Sequence, residues 1–293
     1  MCETCGCEGE GAVVQRLGDG RHVHVYADGR VVGHGEGHLH AHAHVHGEGH
    51  GHDHEHEHEH GHDHTHIARG SRRAAVQIQV LARNHAQAKR NRSLLHEQRI
   101  GAINLMSSPG AGKTSLLART LPELRRSGPV AVIEGDQATS LDANRIAQTG
   151  VPVVQINTGK GCHLEADMVF AAVQQLAPAP STLLIIENVG NLVCPALFDL
   201  GEGKRVVLLS VTEGDDKPEK YPNMFAAADL VVLTKLDLLP HVDFSVERAR
   251  AAVSKLNPNA TWLEVSAKTG AGMPSWLAWL ESQRSWPLTA AMR

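Results

Sequence analysis

Three groups of residues in this 293-residue chain have types and spacings suited to chemistry. The first is Ser107-Ser108-Pro109-Gly110-Ala111-Gly112-Lys113-Thr114, which follows the apolar run Ile103–Met106 and precedes the helical stretch Ser115–Thr120. That is the strand, loop and helix setting of a phosphate loop. The backbone N–H groups from Gly110 through Ala111, Gly112, Lys113 and Thr114 to Ser115 can close around phosphate oxygens, helped by the positive end of the helix. Lys113 can reach the β- and γ-phosphates, and Thr114 can ligate Mg²⁺. Ser107 stands where the usual pattern begins with glycine. Two acidic strand ends supply candidates for Mg²⁺ or water chemistry: Asp136 in Glu134-Gly135-Asp136, and Glu187 ahead of Asn188-Val189-Gly190. The rival reading is a pair of solvated strand-end carboxylates or helix caps.

The second group concerns the base. In Thr234-Lys235-Leu236-Asp237, after the apolar run Leu230–Leu233, Asp237 can accept hydrogen bonds from N1–H and the 2-amino group, which guanine has and adenine lacks. Lys235 can lie over the ring, and the backbone of Ser266-Ala267-Lys268 can meet guanine O6. Each tetrapeptide is weak evidence alone. Their order and their distance from the phosphate loop favour GTP and GDP over ATP. Thr234 replaces the more familiar asparagine, which leaves the polar bracing at that position an open question.

The third group binds metal. Cys2, Cys5 and Cys7 place three thiols within six residues, a spacing for chelation rather than for disulfides among themselves. Thiolates favour Ni²⁺, Cu⁺ or Zn²⁺, and the chain's amino group can complete an N/S set. From about His34 to His66, histidine alternates with Gly, Ala, Asp and Glu, which suits storage or buffering of divalent ions more than a defined geometry. A solubilising linker is the rival reading. Cys162-His163, after Val151–Ile156, and Cys194, after Glu187, stand on loops expected to leave the same sheet edge as the phosphate loop. Three ligands are too few for a closed tetrahedral site, so water, a partner or a second copy must supply the rest.

Elements that position these groups follow from hydrophobic patterning. Apolar runs at Ile103–Met106, Val130–Ile133, Val151–Ile156, Leu183–Ile186, Val206–Val211, Leu230–Leu233 and Trp262–Val265 alternate with helical stretches, which predicts an α/β P-loop NTPase fold with a mainly parallel sheet and helices on both faces. The expected organisation is a Cys/His-rich, largely disordered metal-binding region over residues 1–70, a leading helix over 71–99 capped by Ser71, and a GTPase domain over 100–285. Ala12–Val14 and His22–Tyr26, flanking Gly18-Asp19-Gly20, suggest a small hairpin. With 42% hydrophobic residues, the chain can bury one α/β core of roughly 150 to 200 residues. A formal charge of −4 argues against nonspecific nucleic-acid binding, and no apolar run is long enough for a membrane span. The opening residues lack the pattern of a secretory signal, so a cytoplasmic location is expected. Full protonation of the 21 histidines would reverse the sign of the net charge, so solubility and metal affinity should change near the ordinary histidine pKa of about 6.5.

The motifs together resemble the hydrogenase nickel-incorporation GTPases of the HypB type. The resemblance runs through the CxxCGC head, the His-rich insert, the Asn84–Arg92 region, SSPGAGKT, IEGDQAT, NTGKGCHLEADM, ENVGNLVCP, TKLD and SAK. It implies a SIMIBI-class GTPase that dimerises with GTP and passes nickel to the large-subunit precursor of nickel–iron hydrogenase, together with a HypA-type chaperone. By that resemblance Cys2, Cys5 and Cys7 form an N-terminal nickel site. Cys162, His163 and Cys194 form a nickel or zinc site at the dimer interface. A nickel store with weak GTPase activity, and a urease-type accessory GTPase, remain alternatives; the CxxCGC head favours hydrogenase.

Overall fold

The computed structural model describes residues 12–17, 22–26, 31–34, 65–137 and 139–284. Seven strands run parallel: β4 (Gly101–Ser107), β5 (Val130–Asp136), β6 (Val153–Asn157), β7 (Leu183–Glu187), β8 (Lys204–Ser210), β9 (Leu230–Thr234) and β10 (Thr261–Glu264). Each overlaps one of the seven predicted apolar runs, with no end shifted by more than three residues. β4, β5 and β7 are buried along almost their whole length, which is why their sequences are continuous rather than alternating apolar runs.

Both faces are covered. On one, α2 (Lys113–Ser127) and α8 (Met273–Glu281) bury Leu117, Leu121, Leu124, Trp276 and Leu280 against Ile103, Val132 and Ile185. Burying each such leucine contributes about 1.5 to 3 kcal/mol. The Trp276 indole N–H also donates to Thr120 Oγ1 at 2.9 Å, so the one polar atom of this buried ring is satisfied. The opposite face is split. α1 (Thr65–Glu97) and α4 (Ala166–Leu176) cover β5, β6 and β7, whereas α6 (Pro222–Ala226) and α7 (Val246–Leu256) cover β8 and β9. α3 (Leu141–Ala147) and the one-turn α5 (Lys217–Lys220) complete the α-helices among the described residues.

The N-terminal part departs from expectation in two ways. The suggested hairpin exists as β1 (Ala12–Arg16) and β2 (His22–Val25), and a further strand, β3 (Val31–His34), extends it. β1 pairs antiparallel with β6, so this part of the region expected to lie outside the fold becomes one edge of a ten-stranded sheet ordered β10-β9-β8-β4-β7-β5-β6-β1-β2-β3. Ala12, Val14 and Val25 are buried against the α4 side, which gives the hairpin a reason to dock. The leading helix begins at Thr65, ahead of the expected cap at Ser71, because residues 65–71 contain no proline and only one glycine, Gly70, which the helix runs through. Residues 1–11, with Cys2, Cys5 and Cys7, and the histidine tract over 35–64 lie outside the described residues. No helix among the described residues is long and apolar enough to cross a membrane.

Candidate functional site: a phosphate cavity joined to a thiol cluster

The carboxyl ends of β4, β5 and β7 open onto a cavity of about 480 Å³ lined by Gly110, Gly112, Lys113, Thr114, Ser115, Glu134, Asp136 and Glu187 among others. Gly110 and Gly112 have φ of 75° and 98°, the left-handed region, so the loop can turn its N–H groups inward just before α2 begins. Ser107, the departure from the usual pattern, makes a bond glycine cannot: its Oγ accepts from Lys113 Nζ at 3.0 Å. Burial lowers the pKa of the Lys113 ammonium, against the pull of Glu187, Asp142, Glu213 and Glu134. Thr114 Oγ1 donates to Glu187 Oε1 at 2.7 Å. Ala111 lies wholly buried beneath the loop.

The substitution at Thr234 keeps the bracing. Thr234 Oγ1 donates to the Ala111 carbonyl at 2.8 Å, tying the end of β9 to the phosphate loop. Lys235 Nζ donates to the Gly110 carbonyl at 2.7 Å. Asp237 accepts from Ser266 Oγ at 2.6 Å, a bond that lowers its pKa, and Lys268 Nζ lies 3.9 Å from its other oxygen. Thus the TKLD and SAK segments meet, with Ala267 between Ser266 and Lys268, and Lys235 bridges them to the cavity.

The acidic residues differ from one another. Asp136 accepts from Gln137 N (2.7 Å), Thr139 N (3.2 Å) and Thr139 Oγ1 (2.8 Å), so its carboxylate is occupied by its own turn. Glu134, two residues earlier, was passed over in favour of Asp136, yet it is 2% exposed and its Oε2 has no hydrogen-bond partner. The signal was present, since it is a glutamate inside an otherwise apolar strand. β5 pairs with β7 so that Glu134 lies directly across from Glu187, whose Oε2 is also buried without a partner. Burial, then the neighbouring Glu187, push Glu134 up to about 9; burial pushes Glu187 up to about 7 against the pull of Lys113. The hydroxyl of Thr114 and these carboxyl oxygens form an all-oxygen donor set, which suits a hard divalent ion such as Mg²⁺.

Beside the cavity, Cys162 and Cys194 bring their sulfurs to 3.1 Å, longer than the roughly 2.05 Å of a disulfide. Cys162 Sγ lies 3.7 Å from His163 Nδ1, and one ligand atom from each of the three residues falls within 4.8 Å of the others. Burial pushes His163 down to about 4, so its imidazole is neutral at physiological pH, the form that ligates metals. Its ring rests on Phe198 with centroids 3.9 Å apart. The sheet delivers Cys162 after β6 and Cys194 after β7, in the one-turn helix Cys194–Ala196, but α1 holds the two loops together. Asn84 Nδ2 donates to the Asp199 carbonyl (2.7 Å) while its Oδ1 accepts from Ala166 N (2.8 Å). Asn91 Nδ2 donates to both the Ala166 carbonyl (2.8 Å) and the Leu200 carbonyl (3.0 Å). Arg92 Nη2 donates to both Asp199 carboxylate oxygens, at 2.8 and 2.9 Å. None of these three residues was singled out from sequence as a site residue, because an asparagine on a helix gives no sign of the distant carbonyls it meets.

One short segment touches both sites. It starts at Glu187, bonded to Thr114, and ends at Cys194, against Cys162. Midway, Gly190 lies so near the phosphate loop that a Cβ there would approach Pro109 Cα to 2.9 Å.

Residues 101–264 match the family described as CobW/HypB/UreG, nucleotide-binding domain. Hydrogenase maturation factor HypB of Azotobacter vinelandii is 56% identical over 220 residues, covering 75% of this chain and 73% of that protein. The chain belongs to the HypB family of hydrogenase maturation factors. HypB structures share the fold: HypB from Archaeoglobus fulgidus is similar with a TM-score of 0.66 and 40% identity, over 70% of this chain and all of that one. HypB from Helicobacter pylori in complex with nickel is similar with a TM-score of 0.65 and 38% identity, over 69% of this chain and 95% of that one. The matched segment contains the phosphate loop, Glu134, Asp136, Glu187, Cys162, His163, Cys194, Lys235 and Asp237, whereas Ser266, Ala267 and Lys268 lie just beyond it.

Proposed function

We propose that this HypB-family chain is a GTP-hydrolysing nickel metallochaperone. It would work in the cytoplasm as a GTP-dependent homodimer and, with a HypA-type chaperone, deliver nickel to the large-subunit precursor of nickel–iron hydrogenase. The observation that carries the reading is the segment Glu187–Cys194, which contacts the phosphate cavity at one end and the thiol cluster at the other. In this reading Lys113 and the backbone from Gly110 to Ser115 hold the β- and γ-phosphates, and Asp237 with Lys235 selects guanine. Ser266, Ala267 and Lys268 close over the base. Position alone would give Asp136 and Glu187 the orientation of water, and Thr114 and Asp136 the Mg²⁺. When bound, Mg²⁺ would neutralise charge on the β- and γ-phosphates. Cys162, His163 and Cys194 take nickel or zinc as cargo, and a second copy completes the ligand set. The head thiols Cys2, Cys5 and Cys7 form a separate tight nickel site, and the His-rich stretch buffers further ions.

Thermodynamic reciprocity gives the test. If GTP alters nickel affinity, nickel must alter GTP affinity by the same factor, roughly 5- to 150-fold for a coupling of about 1 to 3 kcal/mol. Affinity for a nonhydrolysable GTP analogue is measured in the full chain with and without nickel, alongside that for GDP. Nickel should change the first more than the second, and Cys162→Ala or Cys194→Ala should each remove the difference. Equal responses in the unmutated protein would sink the coupling. In cells lacking the protein, Lys113→Ala should fail to restore hydrogenase activity; restoration would favour a nickel store over a GTP-driven chaperone.

A further inference from the structure

We infer that Glu134 is a ligand of the divalent ion in the nucleotide cavity, sharing it with Glu187 across the β5–β7 pair. The inference rests on reading the cavity as the GTP site, and it reassigns to Glu134 a role that position alone gives to Asp136. Three observations carry it. Glu134 is 2% exposed, lines the cavity and has an oxygen without a hydrogen-bond partner. A buried carboxyl oxygen left in that state is destabilising, the more so when charged, unless a ligand meets it.

The second observation is its neighbour. Glu187 is 3% exposed, lies opposite Glu134 in the ladder and presents a second buried oxygen without a partner, while its other oxygen is bonded to Thr114. Two carboxylates on adjacent strands repel unless one of them takes up a proton or a cation lies between or beside them. Lys113 is the cation beside Glu187, but its Nζ is bonded to Ser107, and in this reading it serves the phosphates. A small hard cation with oxygen ligands answers both orphan oxygens at once, with the Thr114 hydroxyl beside them.

The third is the contrast with Asp136. Its two oxygens already accept three hydrogen bonds from Gln137 and Thr139, so ligation there would first have to undo the turn. A purely structural role for Glu134 explains less. Gln155, its hydrogen-bond partner, is held by the Thr139 carbonyl and leaves Oε2 unanswered.

The experiment measures how much Mg²⁺ the full chain needs to retain a fluorescent GDP or GTP analogue. Mg²⁺ is the probe because histidine and cysteine are poor ligands for it. Glu134→Gln keeps the size of the side chain and replaces an ionisable oxygen by an amide that cannot become charged, so the fold should survive. The Mg²⁺ concentration for half-maximal retention should rise by about 10-fold or more in Glu134→Gln, the scale on which lost metal-site partners act. It should rise by less than that in Asp136→Asn. Nucleotide affinity in excess EDTA and the thermal midpoint are recorded in parallel, so loss of the nucleotide site or of the fold is separated from loss of the ion. Glu134→Asp, which keeps the charge on a shorter arm, should need less Mg²⁺ than Glu134→Gln. A rise below 10-fold in Glu134→Gln, or equal requirements in the Asp and Gln variants, would overturn the assignment. Failure of the unmutated chain to bind any guanine nucleotide would instead overturn the reading of the cavity.

Discussion

Glu187 and Cys194 begin and end one eight-residue stretch of chain, yet their surroundings are built differently. At Glu187, every neighbour that matters is a strand end or the first turn of α2, and Thr114, Lys113 and Thr234 are bonded within the same sheet edge. At Cys194, the sulfur is half-buried and its partner Cys162 comes from another loop. What fixes that pair is a helix from outside the parallel sheet, through Asn84, Asn91 and Arg92. The difference teaches that the phosphate cavity is assembled by strand order itself, whereas the thiol cluster is assembled by side chains that reach in. Damage to α1 should therefore be felt at the cluster and spare the cavity.

The largest separable effect is expected at the base. Asp237→Asn should weaken GTP binding about 10-fold or more, since an amide donor would meet guanine's donors, and should reduce discrimination against xanthine nucleotide. Nickel binding to the cluster in the absence of nucleotide should stay as in the unmutated chain. Calorimetry with GTP and xanthosine triphosphate decides it, and unaltered base selectivity would remove Asp237 from the site.

Next in size is Asn91→Ala, which leaves the carbonyls of Ala166 and Leu200 without this donor. Stability should fall by about 1 to 3 kcal/mol in urea unfolding. More tellingly, the thiolate-to-nickel absorption band of the cluster should weaken or shift while GTP affinity stays within a few-fold. Equal losses at both sites would break the comparison. The smallest change is expected from Thr234→Val, which removes one hydrogen bond to the Ala111 carbonyl at nearly constant volume. GTP affinity should fall by about 1 kcal/mol, roughly five-fold, with the cluster's absorption unchanged. A spectral change there would show that the cavity and the cluster are braced as one unit.

Much of this was legible in the sequence, for identifiable reasons. The parallel strands were visible because burial on both faces leaves runs such as Leu183–Ile186 with no polar interruption. The phosphate loop was visible because its glycines and GKT end have few other uses. The Cys162, His163 and Cys194 cluster followed once the strands were placed, since loops after β6 and β7 emerge on one edge. Other features were hidden by their distance in the chain. β1 docks against β6 across some 140 residues, and β3 is four residues long and runs into the histidine-rich stretch, so neither announced its place in the sheet. The choice between Glu134 and Asp136 depends on which carboxylate finds local N–H groups, a matter of turn geometry that no spacing encodes. Thr234 left the bracing open because a hydroxyl reaches the Ala111 carbonyl only if β9 ends beside the phosphate loop.

The edge hairpin also fixes where the chain leaves and re-enters the folded body around the histidine-rich stretch. Its first residues follow β3, and its last lead into α1, so residues 35–64 are tethered at both ends to the same folded body rather than trailing from it. The covalent chain alone then bounds how far any of its imidazoles can stand from the two attachment points, β3 and α1.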